Sequence, residues 1–367
     1  MLTILHWVVV ALGSLMAAGT LVSLSRSPHW LVRIWDFPRV QIAILAAACA
    51  AAYGALFFQG RAADWIFLAT TGLCALWQLR NIFPYTPLAG VQVQRQREGS
   101  EEQCLRVLIS NVLMENEGKR RLLDLVAETD PDVVLAVETD EKWAQAMEPL
   151  ADSYPHVVRQ PQDNYYGLML FSRLPLVEPR VEFLVQDDIP SVHAALELPS
   201  GELVALHGLH PRPPEPIRDQ DSTPRDAELV VVGRAIGNTA SRPTIVVGDL
   251  NDVAWSPTTR LFLRLSRLLD PRIGRGLFSS YNANNPLLRY PLDHVFHSNH
   301  FRLVELRRLP SVGSDHFPML VELSYEPDAV VEQDGLEQRP EDREEAEEKL
   351  EVQAQAAQTG DDRPGRE

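Results

Sequence analysis

The rhythm of hydrophobic positions divides the chain at once. Three apolar runs open it, at residues 2–24, 40–58 and 62–79. The first contains no formally charged side chain, with only His6 near its start, and the second is uncharged and rich in alanine; the third carries Asp64 at its edge. A helix crossing a bilayer needs about 20 apolar residues, so the first two runs are long enough and the third is marginal. Trp7, Trp30, Trp35, Trp65 and Trp77 fall near the ends of the runs, where aromatic belts form. A cleaved signal peptide followed by core helices is the competing reading, but the first run lacks a basic start and two more follow it. The pattern therefore predicts a membrane anchor of three transmembrane helices over residues 1–83. The loop between the first two runs holds Arg26, Arg33 and Arg39, and the next loop only Arg61. The positive-inside rule then puts the first loop and the C-terminal domain in the cytoplasm. A short Trp-rich loop can also lie flat in the interface, so the side stays open.

Residues 84–103 read as a linker, with Pro and Gly first and polar residues after. Beyond it the period changes. Short β-like runs (LRVLISN, DVVLAV, YGLMLFS, LVALHGLH, PTIVVGD, LDHVFHS, FPMLVEL) are interspersed with helical spacing near 117–129, 225–239 and 257–269. This predicts an α/β domain over 104–325. From 326 to 367 the chain is acidic and almost free of aromatics, which predicts a disordered tail or at best a solvated helix.

Charge adds one restriction. The net charge is −16, of which the tail, with 15 acids against 5 bases, carries −10. The first ninety residues hold five arginines and two aspartates, leaving −9 for residues 91–325. Duplex binders usually show a basic footprint, so a nucleic-acid partner is not favoured. Cys49, Cys74 and Cys104 lack metal-ligand spacing and indicate no disulfide framework.

Candidate chemistry gathers at strand ends: Asn111, Glu138, His207 and His210, Asp249 and Asn251, Asp293 and His294, then Ser314, Asp315 and His316. Carboxylates and amides suit Mg²⁺, and an imidazole with a carboxylate beside it suits acid–base work on a phosphoester. Taken singly, each motif is weak.

The ordered set is more specific: Asn after a first strand, Glu after a second, Tyr-Gly before SR-x-P, a His-Pro strand, G-D-x-N, L-D-H and S-D-H. This succession resembles the endonuclease/exonuclease/phosphatase superfamily over about residues 105–322. The resemblance implies a four-layered α/β sandwich, two packed β-sheets flanked by helices, and a membrane-anchored bacterial-type Mg²⁺-dependent phosphoesterase in the cell (inner) membrane, with Mn²⁺ as the alternative cation. It implies that Glu138, Asn111 and Asp315 lie at the metal and that His210, Asp249, Asn251, Asp293 and His316 carry catalysis. Tyr166, Arg173, His207 and Ser314 are supporting candidates; His207 competes with His210 for the middle-strand role, and His210 is favoured. The anchor tilts the expected substrate towards a lipid-linked or small phosphoester. A tethered nuclease is the runner-up, and a catalytically inactive scaffold is the reading from a different class. A transporter has little support in spans so poor in ionisable residues.

Overall fold

The computed structural model describes residues 1–97, 100–215 and 220–359. Positions 98–99 of the expected linker and 360–367 of the expected tail lie outside the described residues.

The opening runs form α1 (Leu2–Ser23), the short α2 (Trp30–Arg33), α3 (Arg39–Leu56) and α4 (Ala62–Ile82). The three long helices are apolar and long enough to cross a membrane. They leave Leu15, Leu21, Ile44, Ile66, Leu73 and Leu76 exposed. Asp64, at the start of α4, accepts from Tyr53 Oη (2.9 Å) and from the backbone N–H groups of Gln59 and Arg61. At the other end a polar chain threads the bundle. Gln78 donates to Thr20 (2.8 Å), Arg39 to Gln78 (2.9 Å) and Asp36 (2.5 Å), and Arg33 to Asp36 (3.0 Å).

The following residues build eleven strands in two sheets. These are β1 (Cys104–Asn111), β2 (Val133–Val137), β3 (His156–Gln160), β4 (Leu168–Ser172), β5 (Leu176–Glu182), β6 (Ser191–Glu197), β7 (Leu203–Leu209), β8 (Thr244–Asp249), β9 (Asp293–His297), β10 (Phe301–Arg308) and β11 (Met319–Tyr325). One sheet runs β10-β11-β1-β2-β4-β3 and the other β5-β6-β7-β8-β9. The helices are α5 (Lys119–Thr129), α6 (Glu141–Met147), α7 (Thr223–Gly237), α8 (Pro257–Ser266) and α9 (Pro340–Thr359). Strand periodicity sorts the layers. Val107, Ile109, Leu135, Val137, Ile245 and Val247 fill the core between the sheets. Leu108, Val134 and Ala136 point the other way, under Leu122, Val126 and Trp143 of α5 and α6. Val246 and Phe296 meet Leu229, Ile236 and Phe262 of α7 and α8. Strands buried on both faces read as continuous apolar runs, and each such side chain contributes about 1.5–3 kcal/mol of burial. The result is the expected four-layered sandwich behind three apolar helices.

Two expectations about its borders need correction. The stretch expected as a linker is stitched to the domain: Tyr85 Oη donates to Ala254 O (2.6 Å), Val93 lies fully buried in the inter-sheet core, and Gln94 and Gln96 exchange backbone hydrogen bonds with Leu303. β10 is the outer strand of its sheet, and this pairing covers an edge that would otherwise expose unpaired backbone. The tail is also docked over α9. Ala346 is fully buried against Val230, Leu261 and Leu265, and Asp342, also buried, takes two 2.9 Å bonds from Arg264 Nε. An acidic composition predicts disorder only while no basic partner is waiting; here Arg264 receives Asp342, and the tail's Lys349 in turn pairs with Asp226 of the domain (2.7 Å).

Candidate active site

Topology gathers the chemistry at one edge. β1 and β2 are parallel in the first sheet, and β7 and β8 are parallel in the second. Their C-terminal ends carry Asn111, Glu138, His210 and Asp249. β9 runs antiparallel to β8 with Asp293 opposite Asp249. β11 runs antiparallel to β1 with Met319 opposite Ile109, so His316, just before β11, arrives at the same edge. Gly248 has φ 141°, and a Cβ there would sit 1.9 Å from Leu209 O. Glycine thus lets β8 close on β7 immediately before Asp249. Glu138 (φ 63°) and Asn251 (φ 50°) both hold left-handed backbone, the kind of strain that concentrates at functional positions.

The side chains interlock. Asn111 Nδ2 donates to Glu138 Oε1 (2.7 Å) and Asp249 Oδ2 (3.0 Å), while its Oδ1 accepts from Leu113 N (3.1 Å). Asn251 N donates to Asp249 Oδ1 (2.9 Å), and Asn251 Nδ2 to Pro211 O (3.0 Å), tying the loop after β8 to the one after His210. His316 Nδ1 lies 2.7 Å from Asp293 Oδ2, and its Nε2 lies 3.5 Å from Asp249 Oδ2. Ser314 Oγ accepts from His316 N (3.0 Å), fixing the approach to the imidazole, and lies 3.4 Å from Asp315 Oδ1. Tyr166 packs against His210 at 5.4 Å between ring centroids, and Arg212 covers the same tyrosine ring. Three buried atoms in this set have no partner: Glu138 Oε2, Asp293 Oδ1 and His210 Nδ1.

Burial and charge set the protonation states. Burial alone depresses an imidazole, but Asp293 and Asp249 outweigh it for His316 and raise its pKa to about 10. His210 has burial and the neighbouring His316 against it and falls to about 3, so it stays neutral. Burial lifts Glu138 to about 8. It also raises Asp249, against the pull of His316. Like charges and lost hydration are what shift such groups.

Two candidates are not brought together with the rest. His207 turns away, its Nδ1 2.7 Å from His193 Nδ1, with Ser191 behind that partner. Three positions separate it from His210, and side chains an odd number apart on a strand face opposite ways. Arg173 pairs with Asp130 and stacks over Tyr154 at 4.7 Å. It follows Ser172, which is opposite Val133 at the start of β2, whereas Glu138 lies past the end of β2. Motif adjacency to Tyr166 does not reveal that β4 carries the chain to the far edge of the sheet.

Sequence reading missed the braces. Buried Arg225 bonds Asn251 O (2.9 Å) and Asp226 (2.8 Å) and faces Asp252 at 3.4 Å. Asp252 also binds Ser256 and Thr259 at the start of α8. His294, assigned no role, is a strut: it lies 2.6 Å from Arg272 Nη2 and 2.8 Å from Asp252 O. Ser280 Oγ accepts from Asp293 N (3.0 Å). Arg289 and Arg308 stack on Phe317, the neighbour of His316.

A divalent cation fits this donor set. Asp249, Asp293 and His316 place one ligand atom each within 4.8 Å of one another. Without a cation, Asp293 and Asp249 keep that imidazole charged, so the trio pairs internally. Glu138 offers the better seat, with Oε2 buried and bare and a carboxylate that burial would otherwise neutralise. Asp315 lies close enough to act electrostatically on it.

Fold and cleft together define a class: a two-sheet α/β sandwich with acids, amides and imidazoles converging at one sheet edge. Residues 108–316 match the model of the Endonuclease/Exonuclease/phosphatase family, and the chain belongs to that family. Its members are phosphoester hydrolases. One solved structure shares the fold, and two others are similar to the chain at lower scores. D. rerio TDP2 complexed with single-strand DNA product is 19% identical, with 60% of this chain and 99% of that one covered at a TM-score of 0.50. An endonuclease/exonuclease/phosphatase from Beutenbergia cavernae is 19% identical over 61% of this chain and 72% of that one (TM-score 0.49). Sphingomyelinase C from Streptomyces griseocarneus is 20% identical over 60% and 99% (TM-score 0.44). No curated protein matched in the sequence search.

Proposed function

We propose that the chain is a membrane-anchored, divalent-cation-dependent phosphoesterase acting on a lipid-linked or other small phosphoester or pyrophosphate. The observation that carries this reading is the meeting of Glu138, Asp249, Asp293 and His316 at one sheet edge with carboxylate oxygens left bare. Glu138 and Asp315 hold Mg²⁺ or Mn²⁺, and Asn111 steers Glu138. When bound, the cation neutralises phosphoryl charge and acidifies water. Asp249, made more basic by burial and aimed by Asn111 and Asn251, takes the proton of the attacking water. His316, kept charged by Asp293, offers Nε2–H to the phosphoryl group, and neutral His210 hydrogen-bonds a non-bridging oxygen. Asn251 acts by joining the two loops through Pro211 O, and Tyr166 packs the face of His210.

The apolar outward faces of α1, α3 and α4 support a bilayer anchor. Arg26, Arg33, Arg39 and Arg80 flank the ends of the spans nearest the domain, and Arg61 the far end. By the positive-inside rule that distribution favours a cytoplasmic side for the domain. A tethered nuclease is the second reading, favoured by a groove of about 550 Å³ lined by Arg275, Arg289, Arg307 and Arg308. The test is hydrolysis by the full chain in detergent with Mg²⁺ or EDTA. The panel is polyprenyl pyrophosphate, sphingomyelin, inositol phosphates, and plain and abasic DNA. Turnover of a lipid or small phosphoester, stopped by EDTA, is expected. Turnover of DNA alone, with affinity falling linearly in log salt, selects the nuclease. Binding without any turnover in Mg²⁺ leaves only a scaffold.

A further inference from the structure

A second cavity, of about 460 Å³, lies between the anchor, the domain and the docked tail. Its walls come from the C-terminal ends of α1 (Ser23, Leu24) and α4 (Trp77, Arg80), from Arg39 at the start of α3, from the first turns of α7 and α8, and from α9. All these anchor residues lie at the domain-facing end of the bundle, the depth at which lipid headgroups meet water. Trp77, with Arg80 over its ring at 5.9 Å, marks that level.

The charge of the cavity is unusual. Arg33 and Arg39 share the one carboxylate of Asp36, while Arg264 pairs with Asp342 and Lys349 with Asp226. Four more lining guanidinium groups, of Arg26, Arg80, Arg260 and Arg339, have no carboxylate partner among the described residues. Only two lining carboxylates, Glu345 and Glu348, are likewise unpaired, which leaves a positive balance. Arg260 is half-buried, and burial together with Arg264, Arg339 and Arg80 presses its pKa below the usual range. Arg260 thus sits half-buried with Arg264, Arg339 and Arg80 around it, while Arg26, Arg80 and Arg339 themselves reach the exposed rim of the cavity. Polar atoms wait in the same walls. Thr223 Oγ1, Arg33 Nε and Arg39 Nε are buried without a partner, and their residues are at most 6% exposed. Facing guanidinium groups left unpaired repel one another; an anion between them removes that cost and satisfies their donors.

We propose that this cavity is a binding site, separate from the catalytic cleft, for a phosphate group at the depth of the lipid headgroups. Its volume suits a headgroup, and basic pockets beside spanning helices recognise anionic lipids by this chemistry. The ligand bridges anchor, domain and tail, because each contributes at least one of the unpaired arginines.

The test uses the full chain in detergent micelles, followed by native mass spectrometry and thermal unfolding. The probes are dioleoylphosphatidylglycerol, dioleoylphosphatidylcholine and inorganic phosphate. The expected result is one phosphatidylglycerol held at least about tenfold more tightly than phosphatidylcholine, with a raised unfolding midpoint. Arg260→Gln should erase that preference. Arg80→Gln, at an exposed position, should weaken it without touching the domain core, and Arg120→Gln, on the outer face of α5, should leave it intact. Inorganic phosphate raising the midpoint while phosphatidylglycerol does not would assign the same site to a soluble phosphate. Equal retention of both lipids with no response to phosphate, or an unaltered preference in well-folded Arg260→Gln and Arg80→Gln, would overturn the proposal.

Discussion

Two buried ionic clusters lie within one loop of each other and are built to opposite rules. Around Arg225, the oxygens of Asp226 and Asp252 all have partners, although Glu228 one turn along the helix keeps a bare one. Asp226 meets Arg225 and Lys349, and Asp252 meets Arg225, Ser256 and Thr259; further along, Asp36 meets Arg33 and Arg39. At the strand ends, Glu138 and Asp293 each keep one bare oxygen, and His210 keeps a bare nitrogen. Burying a charge without a partner is costly, and Asp226 and Asp252 avoid that cost a few residues away. Complete pairing marks the cluster that holds the loop in place. Incomplete pairing marks the cluster that waits for a ligand.

The largest effect should come from the incomplete cluster. Glu138→Ala, Asp249→Asn and His316→Ala should each lower Mg²⁺-dependent phosphoester turnover by at least about 10³-fold, with circular dichroism unchanged. An active Glu138→Ala would remove Glu138 from the metal seat. Next comes the complete cluster. Arg225→Ala takes the buried cationic partner from two carboxylates and should cost up to about 3–5 kcal/mol of stability, read by urea unfolding; a stable variant would mean the pairing is dispensable.

A smaller effect separates the clusters by sign. Glu138 has its pKa raised on folding from 4.5 to about 8, so metal-free protein binds this proton more tightly when folded and loses stability as pH rises across that window. His316, raised from 6.5 to about 10, adds loss in the same direction at higher pH. Glu138→Gln should therefore raise the unfolding midpoint in EDTA at pH 8 by roughly 2–4 °C while abolishing stabilisation by Mg²⁺. A lowered midpoint would mean the carboxylate was already satisfied. Smallest of all, Arg173→Ala removes a partly exposed pair at the far edge of the sheet, worth about 0–1 kcal/mol. Its turnover should stay within about twofold of wild type, and a collapse would return Arg173 to the site.

Much of this was legible because the decisive residues follow apolar strands. LRVLISN, DVVLAV and PTIVVGD are buried on both faces, so their ends, and with them Asn111, Glu138 and Asp249, stand out in the sequence. β5 is largely exposed and β3 only half-buried, so neither leaves a clear hydrophobic rhythm. His207 and His210 sit in one motif, and strand parity separates them. The docking of α9 rests on Ala346 and Leu350 meeting α7 and α8, a stripe too thin to outweigh the acidic composition. Arg225 gave no signal, since a lone arginine in a helical run reads as surface until its aspartates are placed around it.

The hydrogen bond from Trp255 Nε1 to Asp36 O (2.7 Å), beside the one from Tyr85 to Ala254, has a mechanical meaning. It clamps the segment leading away from Asp249 to the turn between the first two spans. The domain is thus joined to the helices by more than the chain itself, as a tool is held in a bracket. If the three apolar helices anchor the chain as proposed, the cleft would keep a set height above the lipid plane and meet molecules travelling sideways to it.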